Sequence, residues 1–506
     1  MISEINTLQS TNGASGKIPQ RLHAYHSQKL MFKGNKSTPL ITKKSLNSKN
    51  VHMVIHNKFQ KKHKKFSHKV LENVKVNPYL TNLTLHYGYF HSKEVNVISK
   101  SLKSLRRMNT MQLRIMNEST PMEKFNDLVR SFRYLPELKS LDFSIAYANS
   151  VLGTEFKFPQ AIKSLKNLTS LSLNFGWGGV LNIPKICKGV KVLTGLTNLS
   201  LNYSCAGLMN SDAIALADCL SHLTELTQLR LDLSRNSISK EGFNAITASL
   251  KSLTKLKQLD LTLNKNLIHL DDMSVFRDSM GALTELEVLN VNFSNFKIFQ
   301  SAIQDFGEGL ARLKGLKVLK MSLMDCHLNE KQIQSLGKGI SELTSLIEFD
   351  LDLTKNQLYD KETMDFLEHF RPLKDIRSFS LGLSHNLIGD WVLYTLAKIL
   401  GSYRNLEKLS LNVFACKLSD KGIKNLAGLS EKLSFLSELV LIFNKNANIK
   451  DDGVKALMDG LTQGKGLKEI RIDFAECKLS NDLEDYYVQK LRDELPECNT
   501  TILFGY

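Results

Sequence analysis

From Leu165 onward one phrase of apolar and polar positions recurs: LKNLTSLSLNF, LTGLTNLSLNY, LTELTQLRLDL, LTKLKQLDLTL and further copies down to LSFLSELVLIF. A single position of it falls at Leu171, Leu199, Leu229, Leu259, Leu289, Leu319, Phe349, Phe379, Leu409 and Leu439, so that after one step of 28 every step is 30 residues. Another copy follows at Ile470 and weaker ones precede at Leu83, Leu113 and Leu141, about fourteen units in all. Each unit mixes two periods. LxLxL, as in Leu229, Leu231 and Leu233, alternates with period two and predicts a short strand with one buried face. Beyond a turn, segments such as 211–223 and 390–400 space their apolar residues as a helix does. Ser211, Ser239, Asp390, Ser419 and Asp451 are expected to cap the free amides of the first turns.

One strand and one helix cannot bury their apolar faces alone, so neighbouring units must stack. Parallel strands then lie about 4.8 Å apart, whereas helices need roughly 8–10 Å. The helical side is wider per unit, and the stack curves with its strands on the inner face. Fourteen strands imply an inner arc of about 65 Å. Three residues past the last apolar strand residue stands a fixed slot: Asn236, Asn266, Asn356, Asn386 and Asn446, or Cys326, Cys416 and Cys477. Asn there can bond the backbone of its own and the neighbouring turn, and Cys fits as a small buried residue with a weak donor.

This LxLxxN/CxL phrase, with a helix in each unit of 28–30 residues, resembles the ribonuclease-inhibitor class of leucine-rich repeats, which includes the Ran GTPase-activating protein and the sensor domains of NOD-like receptors. The likeness covers roughly residues 75–506. It implies an α/β solenoid, a horseshoe with parallel strands on the concave face and helices on the convex face, in a class whose role is protein binding. The phrase carries two more strand residues than the family's pattern, so longer strands are expected. The expected organisation is a basic extended or disordered N-terminal tail (1–70), the solenoid (71–481), and a C-terminal capping helix and strand (482–506).

Charge separates the tail from the body. Residues 1–70 hold fourteen Lys or Arg and one acid, a balance of +13, which leaves +4 of the chain's +17 on the rest. Lys43, Lys44, Lys61, Lys62, Lys64 and Lys65 sit among Ser, Asn, Gln and His, a composition that cannot bury enough surface to offset ordering entropy. The expected partner of such a segment is an acidic protein surface or RNA. Two apolar islands, Leu30–Phe32 and Val51–Ile55, are expected to fold on that partner. His52, His56, His63 and His68 read as solvated rather than as metal ligands. Seven scattered cysteines without a CxxC pair predict reduced thiols. No apolar run reaches the roughly 18 residues of a membrane span, and no signal pattern opens the chain, so the expected address is cytoplasmic, with cytoskeleton, cilium or nucleus open.

No catalytic motif is present, no cofactor is expected, and Gly176–Gly179 reads as the turn that every unit makes. The informative surface is the inner one, where residues between the buried leucines point. Asp142, Asp232, Asp260, Asp350, Asp352 and Asp473 stand there against Arg230, Lys320 and Arg471, with Glu348, Glu438 and Glu469 against Lys408 one position earlier. A polar, mildly acidic face is wrong for a phosphate backbone. Val440 and Ile442 break its pattern, and are either a partner's anchor or a site covered by the C-terminal cap or the tail. Three functions remain open: a protein-binding scaffold within a larger complex, a ribonucleoprotein subunit whose tail binds RNA, and a GTPase regulator or enzyme inhibitor acting through the concave face.

Overall fold

A computed structural model describes residues 29–31, 50–55, 79–87, 92–116, 122–146, 156–177, 182–480 and 482–504. Among the described residues seventeen strands form one parallel sheet in chain order, from Lys29–Met31 to Asn499–Leu503, with a two-stranded pairing of His269–Leu270 and Lys297–Ile298 beside it. Successive helices pack on one another along the other side of the chain. The leucines of the phrase lie between the two layers: Leu229, Leu231 and Leu233 are all at most 1% exposed. The architecture is a leucine-rich-repeat solenoid.

The strands keep a fixed register, residue n pairing with n+30 through most of the array, as in Arg230↔Asp260 and Asn290↔Lys320. Regular strand pairing spans five residues in most units, as in Gln228–Asp232. The extra residues of the phrase do not lengthen the strand proper. Leu233 is buried just beyond it, and the bonds continue in looser form, Leu233 N donating to Thr262 O at 2.8 Å and Arg235 N to Asn264 O at 2.9 Å.

The fixed slot is the joint between units. Asn356 Oδ1 accepts from Cys326 N and Leu328 N, both at 3.1 Å, while its Nδ2 donates to Leu323 O and Leu353 O, both at 2.9 Å. One amide thus satisfies buried backbone groups of two neighbouring turns, which would otherwise be orphaned. Asn236, Asn386 and Asn446 repeat the arrangement. Cysteine keeps only the donor half: Cys326 Sγ reaches Phe293 O at 3.3 Å, Cys416 Sγ reaches Leu383 O at 3.4 Å and Cys477 Sγ reaches Phe443 O at 3.5 Å. Burial pushes these thiols up, to about 12 for Cys326 and about 11 for the other two, so they stay protonated as donors.

The helix caps differ from expectation. Ser419 does cap its own helix, its hydroxyl accepting from Lys421 N at 3.3 Å. Ser211 lies inside the helix Asn210–Leu220, and Ser239 makes no side-chain cap bond. Asp390 and Asp451 are the first residues of their helices, and each serves the following unit instead: Asp390 accepts from Ser419 N at 2.8 Å, and Asp451 from Ser480 N at 2.9 Å. The next unit's helix entry lies beside the carboxylate, so a residue one place too late for its own cap is placed for its neighbour's.

The apolar islands of the N-terminal segment are also placed differently. Lys29–Met31 and Asn50–Ile55 are strands of the chain's own sheet, parallel to each other and, for the second, to Asn82–Tyr87. The edge of a parallel sheet offers unpaired N–H and C=O groups, and these segments take them up. Lys43, Lys44, Lys61, Lys62, Lys64 and Lys65 lie outside the described residues, as do His56, His63 and His68. At the other end the helix Asp482–Glu494 packs on the helix Asp451–Leu461, and Asn499–Leu503 continues the sheet. Among the described residues no helix is long and apolar enough to cross a membrane.

Candidate functional site

Strand alternation turns one side chain in two away from the leucine ladder, and every residue singled out on the inner face takes that orientation. Their surroundings differ along the array. Arg230 pairs with Asp260, which also accepts from Gln258 Nε2 at 3.1 Å and from Asn290 Nδ2. Upstream, Asp142 accepts from Arg114 at 3.0 Å and from Gln112. A depression of about 180 Å³ lies by Ser172, Ser200, Gln228 and Arg230. It is below the ~300–1,000 Å³ of small-molecule sites.

Asp232, Asp352 and Asp473 do a local job. Each accepts the backbone N–H two residues on, from Ser234 at 3.1 Å, Thr354 at 3.0 Å and Ala475 at 3.0 Å. Asn202, Asn292 and Asn412 fill the same position in their own units and bond alike. These residues shape the turn that leaves the strand; the second carboxylate oxygen of Asp352 also accepts from the Ser322 hydroxyl at 3.3 Å.

From Glu348 onward the face changes. Lys320 is drawn to Glu348 at 2.6 Å, although Asp350 is its register neighbour. Lys408 pairs with Glu438 at 2.6 Å, and that carboxylate holds the ammonium above its usual range. Asp350, Glu469 and Arg471 have no ion pair or side-chain hydrogen bond among the described residues. Val440 and Ile442 stand half-buried in the row, beside Ser410 and Asn412 on one side and Arg471 and Asp473 on the other. The C-terminal cap does not cover them, because its strand adds to the sheet edge and its helix joins the helical layer.

A third apolar residue was missed by reading only the central strand positions. Phe414 continues the alternation of Ser410 and Asn412, is half-buried, and follows Val413, whose N donates to Ile442 O at 2.9 Å. His385 packs edge-on against its ring at 4.7 Å, and Lys445 Nζ lies 5.3 Å from its centroid. Extending the period-two pattern by two residues would have found it. The turn Gly176–Trp177 recurs throughout, Trp177 holding a positive φ of 60° like Arg235, Lys265 and Lys355 at the matching places.

No known family and no curated protein matches the sequence. Among solved structures, a leucine-rich-repeat protein of Leptospira interrogans is similar at 19% identity, with a TM-score of 0.46, over 85% of this chain and 91% of that one. An internalin of Listeria monocytogenes is similar at 19% identity and a TM-score of 0.41, over 69% of this chain and 88% of that one. Among the described residues no group of three or more His, Cys, Asp or Glu is placed to hold a metal ion.

Proposed function

We propose that the protein is a non-enzymatic scaffold of a larger cytoplasmic complex: its inner face holds a protein partner, and its basic N-terminal segment anchors it to an acidic assembly, cytoskeletal or ciliary in kind. The observation that carries this reading is the half-exposed trio Phe414, Val440 and Ile442, gathered on two adjacent strands of a face whose outward side chains are otherwise mostly polar or small, with Val288, Val318 and Met324 as apolar exceptions on other strands. Apolar anchors ringed by polar residues are the usual energetic centre of a protein interface. The charge of residues 1–70, fourteen Lys or Arg against one acid, supports electrostatic anchoring. That same charge supports a second reading, a ribonucleoprotein subunit with RNA on the basic segment.

The test is a pull-down from native extract with the full chain, with Val440→Asp/Ile442→Asp, and with Lys43, Lys44, Lys61, Lys62, Lys64 and Lys65 changed to Gln. Substitution is preferred to truncation because residues 50–55 belong to the sheet. Loss of partners with the apolar pair, unaffected by RNase, supports the scaffold. Recovery that needs both the lysines and intact RNA overturns it in favour of the second reading.

A further inference from the structure

The register of four consecutive strands lays two rows of side chains across the inner face. One row runs Asp350, Ser380, Ser410, Val440, and the next runs Asp352, Gly382, Asn412, Ile442. Both rows start with a carboxylate, pass over small side chains, and end on an aliphatic one. Gly382 keeps the floor low: a Cβ there would stand 2.9 Å from the Asp352 carboxylate. Three strand steps separate the two walls, about 14 Å. That spacing equals about four residues of an extended chain.

The charges around this trough are out of balance. Among the described residues Asp350 has no cation, because Lys320 is held by Glu348, and the Ser322 hydroxyl and Thr354 N–H that reach Asp352 leave its charge uncompensated. Beyond the aliphatic wall, Glu469 and Asp473 outnumber Arg471, while Lys408 is neutralised by Glu438.

We infer that the trough between Asp350/Asp352 and Val440/Ile442 receives an extended segment of a partner protein that carries a Lys or Arg about four residues from a large apolar side chain. The cation answers the unpaired carboxylates, and the apolar side chain covers the aliphatic pair. The charge sign excludes an acidic segment, since like charges brought onto Asp350 and Asp352 repel. This rests on the reading of the inner face as a protein-binding surface, and adds the chemistry of what binds.

The test is a selection of random peptides displayed on phage against the full-length protein, each survivor then being titrated on Val440→Asp/Ile442→Asp and on Asp350→Asn. Peptides that survive are expected to be enriched in Lys or Arg at the stated distance from Leu, Ile or Phe. Their affinity should fall at least about thirtyfold on the double variant and roughly tenfold on Asp350→Asn. Survivors that are acidic or uncharged would overturn the inference while leaving the protein-binding reading intact. Survivors indifferent to both variants would overturn the trough as their site, and an empty selection would overturn an extended segment as the occupant. Because Val440 and Ile442 point away from the leucine ladder, the double variant should keep the parental circular dichroism spectrum. If it does not, Asp350→Asn alone decides the charge.

Discussion

The inner face divides into two regions built on the same buried ladder. Between the strands Thr110–Met116 and Val288–Asn292 most of its polar groups answer one another, Arg114 with Asp142, Asn198 with Gln228, and Arg230 and Asn290 with Asp260, while Asp232 is bonded only by its own turn. Between Glu348–Asp352 and Glu469–Asp473 the carboxylates of Asp350, Asp352, Glu469 and Asp473 make no ion pair among the described residues, and aliphatic side chains remain half-exposed. A face whose groups are mutually satisfied gains little from a partner, because each new contact must replace an old one. The second region has contacts still to make. The contrast separates polarity, which the two regions share, from availability, which they do not.

The largest effect should come from attacking what both regions have in common. Leu231→Asp puts a charge between stacked strands at a position 1% exposed, and should cost more than about 4 kcal/mol. Thermal unfolding would show it as a collapsed or split transition. Asn292→Asp, on the outward side two strands along, should leave the transition almost unmoved, since Asp fills that turn position in other units. Equal damage from the two would show that the faces are assigned wrongly.

Next in size is the joint between units. Asn356→Ala should cost about 3 kcal/mol, because several buried backbone groups lose their partner at once. Cys326→Ala, which removes a single weak donor, should cost about 1 kcal/mol. Denaturant titration of both variants gives the ratio, and similar losses would mean that cysteine does more in the slot than its one bond suggests.

The comparison itself is sharpened by Arg230→Ala. Its pair with Asp260 is exposed on the arginine side, so stability should change by no more than about 1 kcal/mol and partner recovery should not change. Loss of partners with Arg230→Ala would move the binding region to the first half of the face.

The smallest effect is one of pH. Burial acts to raise the Asp451 carboxyl, but the hydroxyl and amide of Ser480 and the charge of Lys455 outweigh it, and the group sits below its usual value. Such a carboxylate adds stability above its unfolded pKa near 4, and that stability is lost as pH falls through the lower folded value. Hydrogen exchange should find the Ser480 amide protected near neutral pH and released below about pH 4. Asp451→Asn should weaken the protection at neutral pH and remove its acid dependence.

Much of this was legible in the chain. The step of 30 residues required stacking, stacking required a parallel sheet with helices behind it, and alternation within LxLxL sorted inward from outward side chains. The Asn and Cys slot was readable because a buried turn must satisfy its own backbone. Val440 and Ile442 stood out for the same reason, as apolar residues on the polar phase of the pattern. What the pattern could not give was which polar groups were already taken. Nothing local distinguishes Asp350, which is unpaired, from Asp260, which has three neighbours donating to it. Asp352 is held by a turn bond while Asp350 is free, though they differ by two places in one strand. Asp390 and Asp451 read as caps for their own helices and proved to serve the next unit, and two islands in a tail-like segment became the first two strands of the sheet. Apart from the turn bond of Asp352, the deciding partner lies in an adjacent unit. Periodic burial is imposed by the chain's own alternation and is fixed locally, unit by unit. The pairing of polar side chains depends on rotamers and neighbours across the stack, and only the folded array settles which of them are left for a partner.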